Sequence, residues 1–82
     1  MYAIELSSAF QTQLEALHPK RYKQITLRIF RMQENPHPPD AQMLEINIYR
    51  VRVGPYRITY EIDDRQRHVL VFLLEEMEGE IE

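Results

Sequence analysis

The 82-residue chain has no cysteine and no tryptophan, only two glycines, and no apolar run longer than the six residues from Val69 to Leu74. Without cysteine there is no disulfide scaffold, thiolate zinc site, iron-sulfur ligation or cysteine nucleophile. Gly54 and Gly79 alone cannot build a glycine-rich phosphate loop. The apolar run falls far short of the roughly 20 residues a membrane helix needs, and the N-terminus carries no basic-then-apolar leader, so a soluble cytoplasmic protein is expected. A chain this short buries only roughly 60 to 65% of its unfolded surface, which leaves little room for an enclosed cavity or a large cofactor. One domain over residues 1–82 is expected, with function on an open face and no cofactor.

The remaining single-residue signals are weak. His18, His37 and His68 fall at a helix end, in a proline-rich loop and at a strand start, with no carboxylate at ligand spacing, so no metal site is expected. Ser7 and Ser8 read as helix caps rather than nucleophiles, because no histidine lies near them in the expected layout. Net charge is −3, but the average conceals a division. Residues 1–72 carry +2, whereas Glu75, Glu76, Glu78, Glu80 and Glu82 give the last ten residues −5. Residues 75–82 therefore read as an acidic tail.

Tyr2, Ile4 and Leu6 alternate with Ala3 and Glu5, the period of a half-buried strand. Ser8 and Gln11 have capping-box spacing ahead of Phe10, Leu14 and Leu17, which predicts a helix over roughly residues 8–17. Pro19 suits the first turn of a second helix, whose stripe Tyr22, Ile25, Ile29 and Met32 runs until Asn35-Pro36 stops it. Leu27 and Phe30 lie about 100° or more away from that stripe; they either pack on the first helix or await a partner. The loop from Asn35 to Asp40 holds three prolines. Three strands follow: 49–53, 56–62 and 68–74. The predicted architecture is α+β, in the order β-α-α-β-β-β, with two helices on one face of an antiparallel sheet.

The chemical signal lies in the hairpin Tyr49-Arg50-Val51-Arg52-Val53-Gly54-Pro55-Tyr56-Arg57-Ile58-Thr59-Tyr60. A two-residue type II′ turn at Gly54-Pro55 pairs Val53 with Tyr56, Val51 with Ile58 and Tyr49 with Tyr60 on one apolar face. The other face then pairs Arg52 with Arg57 and Arg50 with Thr59. Like charges directly opposite each other cost a few tenths of a kcal/mol up to about 1, so something must offset them. Two readings stay open at this point: a solvated face relieved by Glu45, Glu61 or the tail, or a polyanion-binding patch, since guanidinium forks match phosphate and stay charged. Tyr56 and Tyr60 read as core aromatics rather than base-stacking platforms.

Leu44 with the run from Tyr49 to Asp63, preceded by Asn35-Pro36 and Pro39-Asp40, resembles the RelE/ParE superfamily of toxin-antitoxin toxins. The resemblance covers roughly residues 2–73. It implies a RelE-like fold and a small toxin neutralised by a cognate antitoxin protein. In the RelE branch, which it favours, it implies a ribosome-dependent mRNA endoribonuclease (mRNA interferase) that inhibits translation, with ribosome and mRNA as partners. Arg50, Arg52 and Arg57 then resemble the catalytic basic residues of that branch, with phosphate clamping and transition-state charge stabilisation as their implied roles. Extended antitoxin segments wrap such toxins, which makes Leu27 and Phe30 candidate anchors.

The chain departs from the RelE pattern after its last strand. Glu75-Glu76-Met77-Glu78-Gly79-Glu80-Ile81-Glu82 stands where RelE-like toxins carry a further arginine and a tyrosine, and Glu45 is a further acid near the motif. Such acids repel RNA or fold back onto Arg50, Arg52 and Arg57 as phosphate mimics. The resemblance therefore leaves two alternatives beside the nuclease: a ParE-like toxin directed at DNA gyrase, and a catalytically inactive toxin-like module that binds an antitoxin.

Overall fold

The computed structural model describes residues 1–77. Strand β1 (Ala3–Leu6) leads into helices α1 (Ser8–Glu15) and α2 (Pro19–Arg31), followed by β2 (Gln42–Glu45), β3 (Ile48–Val53), β4 (Tyr56–Asp63) and β5 (His68–Glu76). The two helices pack against a five-stranded sheet of order β1-β5-β4-β3-β2. The architecture is the expected α+β order with two refinements. The sheet is mixed, because β1 runs parallel to β5 while every other pair is antiparallel. Residue alternation reports which face a side chain takes but not which way an edge strand runs. The added strand, β2, is exposed at every residue, so it carries no period-2 burial pattern to read.

Local chemistry explains the helix boundaries. Ser7, not Ser8, caps α1: its hydroxyl accepts the Phe10 amide at 3.1 Å, which satisfies one of the orphan donors of the first turn. Gln11 reaches back instead to the Leu6 carbonyl at 3.0 Å. His18 caps α2 through Nδ1, which accepts the Lys20 amide at 3.2 Å, and Pro19 opens the helix at a position where no amide is needed.

Phe10 and Leu14 of α1 and Ile25, Ile29 and Met32 of the α2 stripe close over Val51, Ile58, Tyr60, Ile62, Val69, Val71 and Leu74 of the sheet. Tyr22, the first residue of that stripe, is exposed. Leu27 and Phe30 do not pack on α1; they are 50% and 65% exposed. Tyr56 and Tyr60 are core aromatics as expected. The Tyr60 hydroxyl donates to the Pro36 carbonyl at 2.9 Å and so ties the proline loop to β4. Tyr49 stacks on Tyr60 at 6.1 Å between centroids, and the His37 ring meets Tyr49 edge-on at 5.3 Å.

The β3–β4 register is the one the two-residue turn requires, with Val53 opposite Tyr56, Val51 opposite Ile58 and Tyr49 opposite Tyr60. Gly54 has φ +59, the left-handed region that costs an L-residue with a Cβ roughly 1–2 kcal/mol. Strand β5 extends two residues beyond the expected Leu74 and contains a bulge. Thr59 pairs with Leu73 but Tyr60 with Val71, leaving Phe72 as the extra residue.

Two outcomes follow for stability. Gly54→Ala is expected to lower the unfolding free energy by about 1–2 kcal/mol in urea titrations, through backbone strain at the turn. Burial pushes the Tyr60 phenol up to about 12. A group whose folded pKa is raised contributes stability that is complete below its unfolded value near 10 and is lost as pH rises towards the folded one. Urea midpoints measured between pH 9 and pH 12 should therefore fall more steeply in the native protein than in Tyr60→Phe.

Candidate nucleic-acid interface

Alternation along β3 and β4 sends Val51, Ile58 and Tyr60 under the helices, so Arg50, Arg52 and Arg57 must emerge on the opposite side of the sheet. Arg52 lies directly opposite Arg57, and Arg50 opposite Thr59. All three arginines line one shallow depression of about 210 Å³, together with Asp40, Gln42, Val51 and Met77. The three candidate residues are therefore brought together, on an open face rather than in an enclosed cavity.

Each guanidinium is held by a partner that the hairpin pattern alone does not reveal. Arg50 donates to Gln42 Oε1 at 2.9 Å. Arg52 donates from Nε to the Gly54 carbonyl at 3.2 Å. Arg57 Nε lies 2.7 Å from Met77 Sδ, and the Met77 amide donates to the Pro55 carbonyl at 2.7 Å, which fastens the end of β5 to the turn. These contacts help to set the planes of the guanidinium groups, and the acceptors of Arg50 and Arg57, a glutamine oxygen and a thioether, carry no charge. Across the other ladder Arg57 faces Glu75, an opposite charge that relieves the Arg52–Arg57 pair.

Glu75 and Glu76 therefore belong to β5 rather than to a tail. The expectation that Glu78, Glu80 and Glu82 lie over the arginines falls outside the described residues. Glu61 sits four positions beyond Arg57 on the same strand, opposite Ile48 and Leu70. Asp40, on the rim, accepts two hydrogen bonds from Arg28 Nη2, at 2.7 and 2.8 Å. That contact holds its carboxyl below the usual range.

Several other titratable side chains tie elements of the fold together. Asp64 accepts the Tyr2 hydroxyl and pairs with His37 Nε2 at 3.0 Å, and these two contacts lower its pKa. His68 pairs with Glu5 at 2.9 Å. Among the described residues no group of three or more histidine or carboxylate side chains is placed to hold a metal ion, and no helix is long and apolar enough to cross a membrane.

A sequence model of a toxin family, described as the ParE toxin of the type II toxin-antitoxin system parDE, matches residues 4–78. The chain belongs to the ParE toxin family. It is thus a type II toxin of the RelE/ParE superfamily, and its fold agrees with solved structures of that group. The isolated RelE toxin of E. coli superposes with a TM-score of 0.85 at 16% identity, covering 95% of this chain and 86% of that one. The archaeal RelE-RelB complex from Pyrococcus horikoshii OT3 gives a TM-score of 0.83 at 16% identity, with 95% and 97% coverage. The intact E. coli RelBE toxin-antitoxin complex gives 0.81 at 15% identity, with 93% and 96% coverage. At these identities the likeness establishes the shared fold. A comparison with curated protein sequences gives no match.

Gln42 and Met77 are the site residues that sequence reasoning missed. Gln42 lies on the unpatterned strand β2, and Met77 follows β5 in a stretch whose acids dominate its reading. Whether this face of the ParE-family chain binds anions is directly measurable. Inorganic phosphate should raise the unfolding free energy beyond the effect of chloride at equal ionic strength, by about 1.4 kcal/mol at ten times its Kd. The Arg50→Gln/Arg57→Gln double variant should show no such excess in thermal melts.

Proposed function

We propose that this toxin acts on RNA: the arginine depression grips the phosphate backbone of messenger RNA on the ribosome and promotes its cleavage, halting translation in the cytoplasm. The observation that carries the reading is the convergence of Arg50, Arg52 and Arg57 on one open depression. An open face suits a polymer threaded past it. In the cleavage step the ribose 2′-oxygen bonds to the adjacent phosphorus and the bond from phosphorus to the 5′-oxygen breaks. The 2′-hydroxyl loses a proton and the departing oxygen gains one. A guanidinium cannot take that first proton at neutral pH. The arginines on this reading align the reacting groups and stabilise charge building on the phosphoryl oxygens. Proton transfer then falls to water or to groups of the ribosome, in keeping with a reaction that depends on the ribosome.

A partner antitoxin belongs to the same proposal, since two of the solved relatives cited above are RelE-RelB and RelBE complexes. Leu27 and Phe30, exposed on α2, provide apolar anchors for an extended antitoxin segment.

A second reading, a toxin directed at DNA gyrase, is favoured by one specific observation: the matching family model is that of ParE toxins. The two readings separate in a cell-free translation assay run beside a gyrase supercoiling assay. Translation should stop with the native protein, and Arg57→Ala should slow mRNA cleavage about 10²- to 10³-fold, the usual cost of removing one preorganised donor to a transition-state oxyanion. Intact translation with inhibited supercoiling would replace the ribonuclease reading with the gyrase one. No activity in either assay, with antitoxin binding retained, would identify an inactive binding module.

A further inference from the structure

We infer that the RNA-gripping surface continues past the depression, over the Gly54-Pro55 turn, to Arg21 on α2. The inference rests on the RNA reading above and assigns the path and the fourth phosphate contact. Gly54 is the junction. Arg52 Nε donates to its carbonyl from the outer side at 3.2 Å, and a Cβ built on Gly54 would lie 3.4 Å from Arg21 Nη1. Two guanidinium groups from different layers thus meet at one exposed residue that has no side chain of its own.

Charge sets the direction of this path. In the sheet order β5-β4-β3, Glu75 faces Arg57 from the β5 side of β4, whereas Glu76, opposite Tyr56, takes the other face. On the β3 side stand Arg50 and Arg52. A polyanion seated on Arg57 is therefore repelled from β5 and drawn across β3 and the turn. Arg21 is half-buried and braced by Gln24, whose Oε1 accepts from Nη1 at 3.0 Å. That neutral partner orients the guanidinium and leaves its charge available. Helix α2 carries Lys20, Arg21, Lys23, Arg28 and Arg31 and no acidic residue, so nothing on its own element competes with the phosphate.

The test is equilibrium binding of the purified full-length chain to fluorescent oligouridylates across a salt series, a trinucleotide against a long single strand. Each phosphate contact on single-stranded RNA adds about 0.7 to the slope of log affinity against log salt. Arg57→Gln should weaken both probes. Arg21→Gln should lower affinity for the long strand about threefold to tenfold and its slope by about 0.7, leave the trinucleotide unchanged, and be rescued by Arg21→Lys. Arg67→Gln, at the opposite end of the sheet, should match the native protein with both probes. If Arg57→Gln weakens binding and Arg21→Gln does not, the path ends at the depression and the inference fails alone. If neither variant changes binding, the RNA reading fails and takes the inference with it.

Discussion

A single backbone angle at Gly54, φ +59, underlies the chemistry of this protein. It allows β3 to reverse into β4 through two residues, and a two-residue reversal fixes the pairing of every residue on both strands. A slip of β3 by one residue against β4 would send Arg50 and Arg52 towards the helices, expose Val51 and leave Arg57 alone on the outer face. The core side of the hairpin and the basic side are therefore one constraint seen from two faces. Burial of Val51, Ile58 and Tyr60 holds the register that assembles the arginines.

Such an assembly is not the arrangement a strand pair would adopt for stability alone, since Arg52 and Arg57 repel each other across the ladder. Among the described residues the three guanidinium groups meet a backbone carbonyl, a glutamine oxygen and a thioether. Glu75 sets a carboxylate opposite Arg57, and the bulge at Phe72 puts it there. Without that extra residue Arg57 would face Leu74, and Glu75 would turn towards the core. The bulge buries Leu74 and sets a carboxylate beside Arg57 in one step. The same carboxylate gives the surface a polarity, acidic on the β5 flank and basic towards β3 and α2.

Much of this was legible in the chain. The alternation in β3 and β4 gave the register because one face is wholly apolar, and Gly54-Pro55 named the turn. The stripe of Ile25, Ile29 and Met32 gave the buried side of α2. Other features left no trace in the pattern. Strand β2 is exposed on both faces, so Gln42 announced neither a strand nor a contact with Arg50. The run Val69 to Leu74 is apolar throughout, so a bulge within it changes no visible periodicity, and the pairing of Glu75 with Arg57 stayed hidden. Ser7 and Ser8 are chemically equivalent as caps, and only the backbone geometry chose between them. The parallel pairing of β1 with β5 depends on where the helices deliver the chain, a long-range property that local pattern does not encode.

The central claim is that Arg50, Arg52 and Arg57 act together as one anion-binding surface. Its most direct test is a nuclear magnetic resonance titration that follows the arginine Nε–H signals while a single-stranded RNA is added. The account expects the signals of Arg50, Arg52 and Arg57 to move together along one binding isotherm while those of Arg65 and Arg67 stay in place. Independent isotherms, or shifts confined to arginines away from the depression, would contradict it.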